Sequence, residues 1–383
     1  MPDTTQNNTI NPLANVDWED LLDTLEAEKC VLFLGSGAFE APGGGSIETA
    51  LRDWLEADEP DNPHIRLYNP DGFLLFRKNR FKRKVTAQIK DFYNQAFPDT
   101  EALFRQLAET PFSIIVTLTP DNLLARTFDA QGFDYQSDFY FRHRKAPEVF
   151  ERPTKEKPLI YNLLGNIEEP ESIVLTHSDF FDYLESVFKS NSMNADLKEE
   201  LEAAERYIFL GLPYEKWYFQ LLLRVLSMHS DKLKEVERLA LREFEDPRLH
   251  ALYTEEFKIE FFPFDVKLFV RELHGKCADA GLLKKAPPPD PALANLPDLN
   301  LAQFQALIAK ADTEEALRHL KAYLDRRKPR SLPLINDWIV LQNRYNLLRQ
   351  RESRGTILPQ DLSVENNQVV EQLLELVSRA IGL

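Results

Sequence analysis

Cys30-Val-Leu-Phe-Leu-Gly-Ser-Gly-Ala-Phe39 decides how this chain is read. Five apolar residues run straight into Gly-Ser-Gly, and a second glycine cluster follows at Gly43, Gly44 and Gly45. A strand that leaves through glycines toward a helix lets backbone N–H groups approach a phosphate, because no Cβ stands in the way. Gly35, Ser36 and Gly37 are therefore candidate ligand-binding residues. The same glycines also suit a tight strand-to-helix turn, and from this stretch by itself both readings stand.

Working outward, apolar runs of the same kind recur at residues 113–118, 159–163, 172–175, 207–210 and 258–262. Most are apolar throughout instead of alternating, as strands covered on both faces are. Amphipathic stretches that predict helices lie at 18–28, 86–96, 101–109, 179–188, 195–206, 216–228 and 266–280. The alternation predicts an α/β domain with a doubly wound, Rossmann-like parallel sheet. In such sheets ligands lie beyond the carboxyl ends of the strands. The segments to watch are thus 35–39, 119–122, 164–166, 176–179 and 211–215.

Lys284-Lys-Ala-Pro-Pro-Pro-Asp-Pro resists both helix and sheet and marks a boundary. The organisation expected is a disordered N-terminus over 1–15, an α/β domain over 16–283, a proline-rich linker over 284–299 and a small helical bundle over 300–383. In the bundle, Asp312 with Glu315 reads as a capping box. Leu317, Leu320 and Leu324 form one apolar stripe, Trp338, Leu341, Tyr345 and Leu348 a second, and Val370, Leu373, Leu374 and Val377 a third.

The formal charge of −16 argues against general affinity for nucleic acid, which depends on neutralising phosphates. Residues 297–383 carry 12 basic and 11 acidic side chains, which leaves −17 on the first 296 residues. One basic run, Arg77-Lys-Asn-Arg-Phe-Lys-Arg-Lys84, opposes that sign and reads either as a phosphate contact or as a solvated face. The two cysteines, Cys30 and Cys277, have no paired spacing and predict neither a disulfide framework nor a thiolate metal site. No apolar run approaches the roughly 20 residues that span a bilayer, and the polar first 15 residues lack a signal-peptide pattern. A cytoplasmic protein with no membrane contact is expected.

Taken in order, the segments that follow the strands resemble the bacterial sirtuin-like (SIR2-like) family of antiphage defence. The glycine loop of that family compares with Phe33-Leu-Gly-Ser-Gly-Ala38, and its Thr-Thr-Asn-Tyr-Asp strand end with Thr117-Leu-Thr-Pro-Asp-Asn-Leu-Leu124. Its His-Gly strand end compares with Leu163-Leu-Gly-Asn166, its Thr-x-x-Asp segment with Thr176-His-Ser-Asp-Phe180, and its last strand end with Phe209-Leu-Gly-Leu-Pro-Tyr-Glu-Lys-Trp217. The resemblance covers roughly residues 15–280. It implies NAD or an ADP-ribose-like nucleotide as ligand, held by Gly35, Ser36, Gly37, Thr119, Asp121, Gly165 and Gly211, and no zinc. It also implies departures from the family: Thr119 stands where the family has its asparagine, and Leu164 where it has its histidine. A leucine accepts no proton, and a hydroxyl replaces a carboxamide poorly. Any remaining chemistry would fall to Asp121, Asn122 or His177.

Residues 300–383 resemble an effector-associated domain, a death-like helical module of bacterial conflict systems. The residues that carry the likeness are Leu341-Gln-Asn-Arg-Tyr-Asn-Leu-Leu-Arg349, Arg354-Gly-Thr-Ile357 and Glu365-Asn-Asn367. Such modules pair with like modules, which implies a partner protein carrying one, or self-association into a homo-oligomer. Three functions are then open: a nucleotide-binding module with an impaired catalytic site that acts through assembly, an NAD hydrolase switched on by oligomerisation, and a scaffold without ligand.

Overall fold

The computed structural model describes residues 12–141, 151–189, 195–226, 236–285, 304, 306, 307, 312–326, 332–353 and 359–381. The chain forms two compact units, Met1–Ala286 and Pro287–Leu383. The expected linker from 286 onward and the Arg354–Ile357 part of the C-terminal motif lie outside the described residues, as do residues 1–11. Residues 12–15 correct the expectation of a disordered start: Pro12–Asn15 is a 3-10 turn, and Leu13 is buried in the core.

The first unit is built on strands β1 (Cys30–Leu34), β4 (Ile114–Thr117), β5 (Gln136–Phe139), β6 (Leu159–Asn162), β7 (Arg206–Leu210), β8 (Glu237–Leu241) and β9 (Glu260–Phe262). They form one seven-stranded sheet in the order β5-β6-β4-β1-β7-β8-β9, every neighbouring pair parallel. A separate antiparallel hairpin, β2 (Ile65–Tyr68) with β3 (Leu74–Phe76), is inserted after β1. Side chains alternate across the sheet, so Leu32, Leu34, Ile115, Ile208 and Leu210 join one apolar layer. Val31, Phe33, Val116, Tyr207 and Phe209 join the other. Both layers are covered by helices, which is why β1 reads as an unbroken apolar run. Each large side chain so buried contributes roughly 1.5–3 kcal/mol.

The helices of this unit are α1 (Trp18–Glu26), α2 (Ile47–Trp54), α3 (Lys82–Tyr93), α4 (Pro98–Glu109), α5 (Leu123–Gln131), α6 (His177–Lys189), α7 (Ala195–Glu202), α8 (Trp217–Val225), α9 (Pro247–Phe257) and α10 (Val266–Asp279). Caps explain several starts: Asp17, Asp246 and Asp265 each accept a first-turn N–H with their side chains. The expected strand over 172–175 is not one. The Val174 N–H does reach the Leu164 carbonyl, but the N–H groups of Leu175 and Thr176 both turn to the Asp179 carboxylate, which with Thr176 makes a capping box for α6.

In the second unit α11 (Thr313–Arg326), α12 (Leu332–Ser353) and α13 (Pro359–Ile381) enclose a core of their own. Asp312 caps α11 by accepting the Glu315 N–H. Leu317, Leu320 and Leu324 are fully buried against Leu341, Tyr345 and Leu348. On α13 the expected stripe is shifted: Val369, Leu373, Leu376 and Val377 face the core, while Val370 and Leu374 are half-buried.

The first unit extends one step into the stretch expected as linker. Lys284 donates its N–H to the Glu109 carbonyl, and its ammonium bonds the Phe112 carbonyl above the Phe128 ring. Burial drives its pKa from the ordinary 10.5 down to about 7, with Glu156 opposing the shift. Between about pH 7 and 10.5 the unfolded chain holds a proton here that the folded chain has released, so stability rises with pH across that window. Each displaced pKa unit is worth about 1.4 kcal/mol. Lys284→Met is expected to raise the urea midpoint at pH 6 and to lose that advantage by pH 10, measured by denaturation at both pH values.

Candidate functional site

The chain passes from β1 to β4 on one side of the sheet and returns to β7 on the other, so the switch of direction lies at the carboxyl end of β1. There the exit loops of β1 and β7 touch main chain to main chain. The Gly35 N–H bonds the Leu210 carbonyl and the Gly37 N–H the Gly211 carbonyl, both at 2.9 Å. A Cβ on Gly35 would lie 2.3 Å from the Gly211 oxygen, and one on Gly211, whose φ is +65°, would lie 2.0 Å from the Ala38 nitrogen. These glycines are required by the interlock. Of the three residues expected to offer main-chain donors to a phosphate, Gly35 and Gly37 spend their N–H groups within the protein, whereas the Ser36 N–H between them is not among the bonded groups. The N–H groups of Ala38 and Phe39 go to the Gly35 and Ser36 carbonyls. Gly165 is held for a similar reason, since its Cβ would meet the Ser172 carbonyl at 2.3 Å.

On the β4 side, Asn162 at the end of β6 donates through Nδ2 to the carbonyls of Thr119 and Asp121, both at 3.0 Å, and fixes the course of this loop. Asp121 is 6% exposed. Its Oδ1 accepts the Leu123 N–H at 2.9 Å, whereas Oδ2 has no hydrogen-bond partner in the protein. The Thr119 hydroxyl is likewise buried without a partner: it lies close enough to stabilise the Asp121 carboxylate but outside hydrogen-bond geometry. Burial outweighs that help and raises the Asp121 pKa. Asn122 turns its amide nitrogen to Glu168 at 3.2 Å, and Glu168 also pairs with Lys90.

The third expected chemical residue has different partners. His177 opens α6, and its Nε2 lies 2.8 Å from Asp71 Oδ2 at the tip of the hairpin. The Trp217 indole donates to the same oxygen at 2.8 Å, and Phe73 lies against the imidazole at 4.7 Å. Burial acts against the Asp71 carboxylate, but the bonds from Trp217 and His177 prevail and hold its pKa below the ordinary value. Leu164 is buried in the apolar layer with Leu163, Phe180 and Tyr183.

Sequence reasoning missed Glu48, near the start of α2. It accepts the Ser36 hydroxyl at 2.6 Å, and its other oxygen lies 3.6 Å from Lys216, which itself donates to the Pro70 carbonyl. Glu48 and Asp121 act on common neighbours. Both raise Tyr93 in addition to burial, and Glu48 with Asp71 does the same at Tyr218. Tyr68 on the hairpin is pushed up to about 12, by burial first and Glu48 second. Asp121 and Glu48 thus both lie within electrostatic reach of Tyr93. The basic run 77–84 is partly absorbed in holding the insertion together. Arg77 bonds the Asn62 and Pro60 carbonyls, Lys82 pairs with Asp179 at 2.9 Å, and Arg83 lies 3.8 Å from Glu171. Among the described residues no group of three or more His, Cys, Asp or Glu is arranged to hold a metal, and no helix is long and apolar enough to cross a membrane.

A parallel, helix-covered sheet with this switch point defines a Rossmann-like domain. Residues 113–262 match the family model of the SIR2-like domain, and residues 300–380 that of effector-associated domain 11. The chain therefore carries a SIR2-like domain followed by an effector-associated domain, the architecture that the resemblance implied. Among curated proteins none matches it. SIR2-like domains as a class bind NAD. For such a ligand the residues offer Asp121 and Thr119, whose oxygens have no partner in the protein but are buried, and the Ser36 N–H, which is not among the β1-loop N–H groups bonded to protein carbonyls.

The loop interlock and the Asn162 clamp make separable predictions, read as urea-unfolding free energies. Gly211→Ala is expected to cost about 3 kcal/mol or more, through main-chain overlap at a left-handed φ. Gly43→Ala, with φ +87° but nothing within 4 Å, should cost only about 1 kcal/mol. Asn162→Ala removes two donors from buried carbonyls and should cost about 1–3 kcal/mol.

Proposed function

We propose that this protein is a sirtuin-like, ligand-sensing module of a bacterial conflict or antiphage system, whose catalytic positions are altered and whose output is assembly through the effector-associated domain. The observation that carries the ligand half is the buried pair Asp121 Oδ2 and Thr119 Oγ1, both unpartnered at the switch point. Polar atoms left so in a folded interior cost free energy unless a further group satisfies them. The family match over residues 300–380 supports the assembly half, since an effector-associated domain is a protein–protein interaction module. On this reading the partner is a like module on another protein or a second copy of the chain. Thr119 and Leu164 stand at the family's asparagine and histidine positions, and the burial of Leu164 among Phe180 and Tyr183 supports an altered reaction path.

A second reading, NAD hydrolysis on oligomerisation, draws on Asp121, whose unpartnered oxygen and raised pKa suit a water-activating base. Incubating concentrated full-length protein with NAD and separating the products decides between the two. The altered-site reading expects no release of nicotinamide above background. Release that Asp121→Asn abolishes would replace it with the hydrolase reading. Sedimentation velocity over a concentration series is expected to show association, and a monomer at every concentration would leave only a foreign partner.

A further inference from the structure

The hairpin of β2 and β3 turns one side to the core and leaves two leucines outside. Ile65 and Leu74 are buried, with Tyr68 and Phe76 packed beside them. If β2 ran regularly, Leu67 would share the inward face of Ile65, two residues before it. The register instead slips between them: Ile65 stands opposite Phe76 and Leu67 opposite Leu75, so Arg66 is an extra residue on β2. Such a bulge re-aims the side chains that follow it. Leu67 emerges beside its cross-strand partner Leu75, and the two stay 49% and 47% exposed. A second exposed apolar pair lies where the hairpin tip is fastened. The Trp217 indole that bonds Asp71 is 41% exposed, and Phe181 of α6, 56% exposed, lies 6.1 Å from it. Four of the seven large apolar side chains exposed among the described residues thus belong to the hairpin or to the helices that clasp its tip. The same insertion is cationic. Arg66, Lys78, Arg80 and Lys84 are exposed and form no ion pair among the described residues. Residues 59–84 carry seven basic and three acidic side chains, whereas the rest of the first 296 residues bears −21.

We propose that the β2–β3 insertion is an assembly surface, covered by an acidic face of a second copy of this chain. The inference rests on the assembly reading above and adds to it a contact on the first unit. Exposed apolar side chains gathered in one place mark contact sites, and tryptophan is among the side chains that dominate the energy of such contacts. Charge then selects the occupant. The complement of a cationic insertion is an acidic surface, and another copy supplies it because its charge outside the insertion is strongly negative. That same negative charge opposes the approach of a nucleic acid. Because the insertion meets a different surface of its neighbour, the contact is head-to-tail, and contacts of this kind extend into rings or filaments.

The test is sedimentation velocity of the full-length protein over a concentration series at low and at high salt. Association is expected, and high salt should weaken it because attraction between exposed charges is screened. The double variants Leu67→Asp/Leu75→Asp and Lys78→Glu/Arg80→Glu should each weaken association about ten-fold or more at low salt. All four side chains are exposed, and the salt comparison on the unaltered chain depends on no variant. Association that either double variant leaves unchanged overturns this inference and leaves assembly through the effector-associated domain in place. A monomer at every concentration overturns it and leaves only a foreign partner. Anisotropy with a fluorescent single-stranded oligonucleotide is expected to show no binding at the same salt. Binding that Lys78→Glu/Arg80→Glu abolishes would overturn the inference in favour of a nucleic-acid surface.

Discussion

The contact on which the site depends is the one between the exit loops of β1 and β7, where Gly35 and Gly37 lie against Gly211 with no side chain between them. Two hydrogen bonds at 2.9 Å close it and satisfy main-chain groups that would otherwise be buried and unpaired. Its consequences spread outward. Ser36 is left between the two anchored glycines with its hydroxyl on Glu48, so α2 is tied to the sheet. The β7 loop then carries Lys216 and Trp217 to the Pro70-Asp71 tip of the hairpin, and His177 closes the same cluster from α6. One main-chain contact therefore places four segments that are far apart in sequence.

That contact also reverses the meaning of the glycines. A Gly-Ser-Gly loop and a phosphate cradle look alike in sequence because both require the absence of a Cβ. What distinguishes them is whether the N–H groups point at solvent or at a second loop, and here the second loop lies some 175 residues further on and has its own glycine, Gly211. Thr119 and Asp121 were legible because they follow an apolar strand at a predictable place. Glu48 and Asn162 were not. Each acts through a partner that only the tertiary fold supplies, Ser36 for the one and the Thr119 and Asp121 carbonyls for the other. The signal that could have found Asn162 is a polar residue closing an otherwise apolar strand, as it closes β6.

The fold itself was legible where both faces of a strand are buried. β1, β4, β6, β7 and β9 appear as apolar runs with ends within two residues of those observed. β5, with the sequence Gln-Ser-Asp-Phe, escaped because it lies at the sheet edge and only half-buries its side chains. β8 escaped because Glu-Arg-Leu-Ala-Leu suits a helix as well as a strand, and its neighbours β7 and β9 decide the matter. The run 172–175 misled for the opposite reason: its apolar residues cover the core from a loop, while its N–H groups serve the cap of α6.

The burial of Leu164 and the hold on the Asp121 loop bear on what the site can regain. A histidine at 164 would place an imidazole in an apolar layer beside Leu163, Phe180 and Tyr183, where burial disfavours its charged form. A single substitution therefore would not rebuild proton transfer there, because the surrounding layer is packed for a hydrocarbon. Asp121 is different. Its loop is held by Asn162 through main-chain carbonyls, and its carboxylate by the Leu123 N–H. An apolar side chain fills the place where the family resemblance puts the proton acceptor. On the function proposed above, that is the arrangement of a site that reads a ligand more than one that consumes it.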